Sequence, residues 1–504
     1  MRLTKSDEDL QLVSDFSALA SDAARVHPIG NCSVTDLTTL NAGQLSADIH
    51  AGKLSCTTVM EAYLARIAAI NPGINAIVSL RRETELMEEA RDRDGELDAG
   101  KSRGWMHGFP VAIKDLSEAK GIRCTYGSPL FKDYVPDFDD IHVERIKAAG
   151  AIVIGKTNTP EWGFGSHSYN PIFGVTRNPY DVSKSAGGSS GGAGAALAAR
   201  LVPVADGSDM MGSLRNPAAF NNVVGFRPSF GRVPSGPGAE LFLGQLATAG
   251  PMGRSVSDVA RLLQTQAGYD RRDPLSLPLE AFDLDKPLRR GGRVAWLGDF
   301  GGYLPFEPGV LDVCRSSLPV FEKLGMNVQD ALPDFSMDRL WWAWITLRSW
   351  LTAGSLQAQY DNPSERAQMK AEVHWEIRNG LKVTASEVQE ASRIRSAWYA
   401  ALLSLFDRYD ALVLPSAQVF PFDADIPWPR EIDGRHMDTY HRWMEVVIGP
   451  SMVGLPVAAM PAGFNPAGLP AGIQIIGPPR ADAQVLRLAR AYEAETDWLQ
   501  HTPF

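Results

Sequence analysis

Seven short apolar runs recur along the chain with helical patterns between them: 109–113, 151–154, 202–205, 294–297, 411–414, 457–460 and 473–476. A run that is apolar or, like 473–476 with its single Gln474, nearly so has little polar side to offer water, and it reads as a strand covered on both faces. Between the runs the spacing becomes helical. Met60, Leu64 and Ile67 share one face in 57–70, and Val485, Leu488, Ala489 and Tyr492 share one in 483–495. Segment 256–267 follows Ser255, a hydroxyl placed to cap a first helical turn. Strands alternating with helices predict an α/β sandwich around a largely buried sheet.

Composition narrows the class further. The 504 residues are 44% hydrophobic and 21% charged, enough to bury a large core without disulfides or a structural metal. Lysine and arginine total 49 against 59 acids, a net charge of -10 that argues against a nucleic-acid partner. Cys32, Cys56, Cys124 and Cys314 contain no C-x-x-C pair, so they are neither a disulfide framework nor a metal set, and a reducing compartment is expected. The first thirty residues carry Asp7, Glu8, Asp9, Asp15 and Asp22 and no apolar leader core. No apolar run approaches the roughly eighteen residues of a membrane span. These features predict a cytoplasmic protein with no membrane partner. Segment 270–288 reads as a surface excursion or a boundary, and 421–435 reads as a loop over one face. Without a flexible linker or repeat, one large folded unit is expected.

The strongest local signal is the run from Ser185 to Leu197, with glycine at 187, 188, 191 and 192. Glycines there open backbone geometries closed to other residues. A phosphate loop would need Gly-Lys-Ser/Thr, and no lysine is present. Gly187-x-Ser189-x-Gly191 and Gly188-x-Ser190-x-Gly192 both fit a hydrolase nucleophile elbow. An elbow requires a strand directly before its serine, whereas 178–184 reads as a turn. It also requires a histidine downstream, and none of His374, His436, His441 or His501 stands in a distinctive context. Two further residues outweigh the elbow. Ser213 follows within Gly212-Ser-Leu-Arg215, and Lys114 ends the apolar run Val111-Ala-Ile, where burial would favour a neutral amine.

Together with Lys114-Asp115, these motifs resemble the amidase signature family of serine hydrolases. The resemblance includes Gly207-Ser-Asp209, Asn216-Pro-Ala218 and the Gly225 to Arg232 segment. Distally it includes Gly454-Leu-Pro-Val457 and Gly468 to Gln474, so that it spans roughly residues 35 to 500. It implies one α/β/α domain over 35–504 around a mixed, mainly parallel sheet, preceded by an N-terminal extension, 1–34. It also implies a Ser–cis-Ser–Lys triad: Ser213 as nucleophile, Ser189 as bridge after a cis peptide bond, Lys114 as base. The oxyanion hole would be the amides of Met210, Met211, Gly212 and Ser213. Methionine stands at 211 where the family more often has glycine, which puts the turn's geometry in question. Asp209 and Arg215 would brace the turn, with Ser190 beside the bridge. No cofactor or metal is implied.

The resemblance specifies the bond more closely than the molecule. A small-molecule amide is expected, bulky or aryl if the tryptophan-rich segment 340–350 faces the site. Trp341, Trp344, Tyr126 and Trp162 are therefore candidate walls, with core packing the plainer reading of the tryptophans. Ester or carbamate side activity fits the same chemistry. Two alternatives stand: the glutamine-hydrolysing component of a tRNA amidotransferase, and an inactive binding module of the same fold. A homodimer is left open.

Overall fold

Backbone pairing gathers the predicted runs into two sheets. The computed structural model describes residues 36–289 and 291–504; the predicted extension 1–34 and Cys32 lie outside the described residues. The strands are β1 (Ile77–Val78), β2 (Pro110–Lys114), β3 (Ile152–Thr157), β4 (Val204–Asp209), β5 (Val224–Arg227) and β6 (Thr248–Gly253). They continue with β7 (Arg293–Trp296), β8 (Asn327–Asp330), β9 (Ala411–Pro415), β10 (Val457–Phe464) and β11 (Pro470–Ile476). One sheet has the order β1-β3-β2 and the other β8-β7-β9-β11-β10-β5-β6-β4. Residues Leu37–Phe504 form one compact unit.

The α/β sandwich with a mixed sheet is as expected. Parallel pairing occurs between β2 and β3 and along β8-β7-β9. The other five interfaces of the large sheet are antiparallel, a larger share than the resemblance implied. One local cause is the tight return at 465–469, where the Asn465 N–H donates to the Leu469 carbonyl and makes β10 and β11 a hairpin.

All seven apolar runs overlap strands, and the strands missed have physical reasons. β6 reads Thr-Ala-Gly-Pro-Met-Gly, with residues that weaken strand signals. Its glycine is required by close approach: a Cβ on Gly250 would lie 2.5 Å from the Phe226 carbonyl. β8 is a polar edge strand, mostly exposed. Segment 421–435, expected as a loop, holds a small hairpin, Glu431–Ile432 with Arg435–His436.

The helices that position the site are α1 (Cys56–Ile74), α2 (Gly191–Ala198), α3 (Arg215–Phe220), α4 (Val256–Gln266), α5 (Met337–Asp361), α6 (Ala371–Gly380) and α7 (Ala385–Phe406). The first, fourth and C-terminal 482–494 helix match the periodic segments, and Ser255 accepts the Asp258 N–H as the cap of α4. Helix α2 is buried throughout. Its second residue explains the glycine run, because a Cβ on Gly192 would lie 2.3 Å from the Asn158 nitrogen. Helix α5 packs against both α6 and α7. No described helix is long and apolar enough to cross a membrane.

Denaturant unfolding should rank two substitutions. Ser255→Ala removes one cap bond and should cost about 1 kcal/mol. Gly192→Ala forces α2 off the backbone it abuts and should cost more, about 1–3 kcal/mol. Equal effects would mean that the close approach at Gly192 is not made.

Candidate active site

Strand β2 runs through the core and delivers Lys114 into it. The side chain is fully buried, and its backbone N–H donates to Asp206 Oδ1 at 2.9 Å. The amine lies among serines: Nζ is 2.8 Å from Ser189 Oγ, 2.9 Å from Ser190 Oγ, and 3.0 Å from Ser208 Oγ. Burial pushes Lys114 down to about 7, while the charges of Asp206 and Asp209 pull the other way. Behind it, Asp206 Oδ2 stands 3.4 Å from the buried His142 Nε2.

The glycine–serine run supplies two of the three hydroxyls. The Gly188–Ser189 peptide bond is cis, as the resemblance implied. Gly187 has φ of +72°, and a Cβ there would meet Asn216 Oδ1 at 2.8 Å. Ser190 begins α2 and ties the run to the next motif, its N–H donating to the Ser213 carbonyl at 3.2 Å. Ser208, not among the expected site residues although it lies inside Gly207-Ser-Asp209, is the third hydroxyl; its place near the end of β4 was the available signal.

Asp209 ends β4 and organises the turn that carries Ser213. Its carboxylate accepts N–H bonds from Gly212 at 2.9 Å and Leu214 at 3.1 Å. Arg215 grips it with both Nε and Nη2, at 3.0 and 2.9 Å, and Arg227 adds Nη1 at 3.1 Å. Burial alone would raise this carboxyl, but the two arginines outweigh it and hold Asp209 well below the usual carboxylate range. Arg215 continues to Ser451 Oγ at 2.6 Å and Gln474 Oε1 at 2.5 Å, so the distal motif braces the turn from β11. The expected Asp209–Arg215 pair is present, and Arg227 was the partner missed.

The turn corrects one expectation. The Gly212 N–H, expected among the oxyanion donors, is already committed to Asp209. Met211 has no positive φ, so methionine in place of glycine costs the backbone nothing. Gly212 does need its freedom, with φ of +80° and Val447 packed where a Cβ would stand.

Ser189, Ser208 and Ser213 open onto a cavity of about 140 Å³. Leu116, Trp162, Phe164, Met210, Met211 and Met444 give it its large apolar side chains, and Arg348 is the charged residue on it. Of the four candidate walls only Trp162 lines this cavity. Trp341 and Trp344 are buried in the main core, where Trp341 packs edge-on to His441 at 5.5 Å. Arg348 shares their helical stripe but sits about 6 Å beyond Trp344 along α5, which is where the helix reaches the cavity. Tyr126 stands one layer back: its carbonyl accepts the Trp162 N–H at 2.7 Å, and its hydroxyl donates to Glu118. The downstream histidines, including His441 stacked on Tyr440, do not line the cavity, so the elbow alternative lacks its base.

Comparison with known proteins agrees with this geometry. The Amidase family model matches residues 58–486. An acylamidase of Rhodococcus erythropolis is 33% identical over 92% of this chain and 97% of its own length. The A-type component of the glutamyl-tRNA(Gln) amidotransferase of Thermus thermophilus is 35% identical over 90% of this chain and 97% of its own. The crystal structure of a bacterial aryl acylamidase superposes with a TM-score of 0.85 at 29% identity, covering 92% of this chain and 97% of that one. With its serines and buried lysine held together in this fold, the chain belongs to the amidase signature family and is a hydrolase of amide C–N bonds.

Proposed function

We propose that the protein cleaves bulky or aryl carboxylic amides through an acyl-enzyme on Ser213. The observation that carries this reading is the buried Lys114 amine held within hydrogen-bond distance of the Ser189 hydroxyl at the floor of an apolar cavity. A serine hydroxyl attacks efficiently only when a base takes its proton. In this reading Ser213 attacks the amide carbonyl, its proton passes to Ser189, and Ser189 gives its own to Lys114. The relay then runs backwards to protonate the departing amine, and water releases the acid. The amides of Met210, Met211 and Ser213 stabilise the tetrahedral oxyanion.

Ser190 and Ser208 have a supporting part. They hold the amine in place with groups that accept or donate, so the lysine keeps partners in both protonation states. Trp162, Phe164 and the three methionines favour an aryl or branched apolar group, with aryl esters or carbamates as side substrates. The same wall gives little to a small polar glutamine, which supports the acylamide reading over the amidotransferase one. Action in the cytoplasm is supported by the acidic charge and by Cys56, Cys124 and Cys314, all buried and unpaired.

Three measurements test the scheme. Against a panel of anilides, aliphatic amides, aryl esters and glutamine, the wild type should prefer anilides, and Ser213→Ala or Lys114→Ala should lower kcat by about 10³-fold or more. Full activity in Ser213→Ala would remove the nucleophile assignment, and a preference for glutamine would return the amidotransferase reading. The base works only when neutral, so kcat/KM should rise with pH through about 7 and then level. Asp206→Asn removes a charge that favours the protonated lysine, so the rise should move to lower pH; an unmoved profile would exclude Asp206 as an influence on the base. Asp209→Ala leaves Arg215 and Arg227 buried without their carboxylate and should cost about 3–5 kcal/mol in denaturant unfolding.

A further inference from the structure

Among the described residues lining the cavity, Arg348 is the one charged side chain, and it is 5% exposed. A guanidinium carries five N–H donors in a rigid fork. One side of this fork is fastened: Nε donates to Glu376 Oε1 at 2.6 Å and Nη2 to the Tyr440 hydroxyl at 2.9 Å. Glu376 is itself held by Ser349 Oγ at 2.9 Å and the Tyr440 hydroxyl at 2.7 Å. Beneath the plane lies the Phe164 ring, 5.4 Å from the guanidinium carbon. The remaining edge, Nη1, meets only the Met210 sulfur at 3.1 Å, and a thioether is a weak acceptor. An immobilised cationic donor thus faces a cavity whose other walls are largely apolar.

Surrounding charge narrows what this donor takes. Arg348 is already neutralised by Glu376, at 2.6 Å. Behind Gly165, the Lys370 amine has the Glu372 carboxylate at 3.9 Å and no hydrogen-bond partner among the described residues, while the Lys370 backbone N–H donates to Glu161. These cations are therefore matched by carboxylates, and a substrate carboxylate bound there would be buried without a free counter-charge. A carbonyl oxygen would gain a charge-assisted hydrogen bond and bring no net charge.

We infer that Arg348 is the polar anchor of the substrate cavity, and that the preferred amides carry a second, neutral oxygen acceptor that takes a hydrogen bond from Nη1. The inference rests on the amide-hydrolase reading and deepens it: the substrate is an apolar body with the scissile amide at Ser213 and a further carbonyl at Arg348. Arg348 acts on specificity through ground- and transition-state binding, and takes no proton.

Matched amides test it. On the acyl side, hexanoyl benzylamide is compared with its 4-oxo and 5-oxo analogues and with the glutaryl monoamide. On the amine side, N-hexyl benzamide is compared with its 4-oxo and 5-oxo analogues. In the wild type at least one oxo compound should exceed its hydrocarbon parent by about 10-fold or more in kcat/KM, mostly through KM, and the glutaryl amide should not. In the charge-matched double variant Arg348→Met with Glu376→Gln, that advantage should fall to within about 3-fold.

The inference is overturned if no oxo compound is preferred, if the carboxylate is the best substrate, or if the double variant lowers oxo and parent amides by the same factor. Should that variant not fold, the wild-type ranking and Arg348→Lys decide the matter in the same way, since the shorter point donor should also lose the oxo preference. Dissociation constants of the same pairs on Ser213→Ala separate the two readings. An oxo preference in binding without any turnover by the wild type would count against the hydrolase reading, whereas turnover without an oxo preference would count against Arg348.

Discussion

A lysine amine removed from water must be either paired with a carboxylate or surrounded by groups that tolerate it uncharged. Lys114 is given the second environment. Its neighbours within hydrogen-bond distance are three serine hydroxyls and the Ser208 carbonyl, while Asp206 spends one oxygen on the Lys114 backbone N–H. The contrast lies on the adjacent strand. Lys156 is equally buried, but its amine donates to the carbonyls of Ser117 and Lys114. Carbonyls only accept, whereas hydroxyls accept and donate, so the serines can partner an amine in either protonation state.

Much of the fold serves to keep that environment intact. Strand β2 carries the lysine inward, the glycine–serine run brings two hydroxyls to it, and the end of β4 brings the third. The run can approach because α2 begins with residues small enough to lie against the backbone at Asn158. The turn after β4 is then tied from three directions, by Arg215, by Arg227 and through Gln474 of β11. Asp209 accepts from both arginines, and Gln474 accepts from Arg215. The geometry around Ser213 thus depends on residues more than two hundred positions away, although Ser213 itself lies in a local motif.

The site was legible to different depths. Lys114, Ser189 and Ser213 were readable because a buried lysine and two serines in glycine-rich turns have little structural reason to occur together. The Asp209–Arg215 pair was readable from a short motif. Arg227 sits in a quoted motif, but nothing local shows that its side chain reaches Asp209. The Gly212 amide was misassigned because a turn's amides look equivalent in sequence, and only the carboxylate above them selects which is already bonded. The tryptophans misled in a similar way. Trp341, Trp344 and Arg348 lie on one stripe of α5, and their periodicity identifies the inward face without showing where along the helix the cavity begins.

The amino-acid sequence by itself determined the layered α/β architecture, the family and the identity of the lysine and two serines, because each is written in local pattern: apolar runs, glycine spacing and motif order. Tertiary structure alone decided the walls of the cavity, the place of Ser208 beside the amine, the commitment of the Gly212 N–H and the exposure of one guanidinium edge at Arg348. These depend on which distant elements dock against one another and at what depth. Distances across a packed interior arise from the closing of the whole sheet, and no local spacing in the chain encodes them.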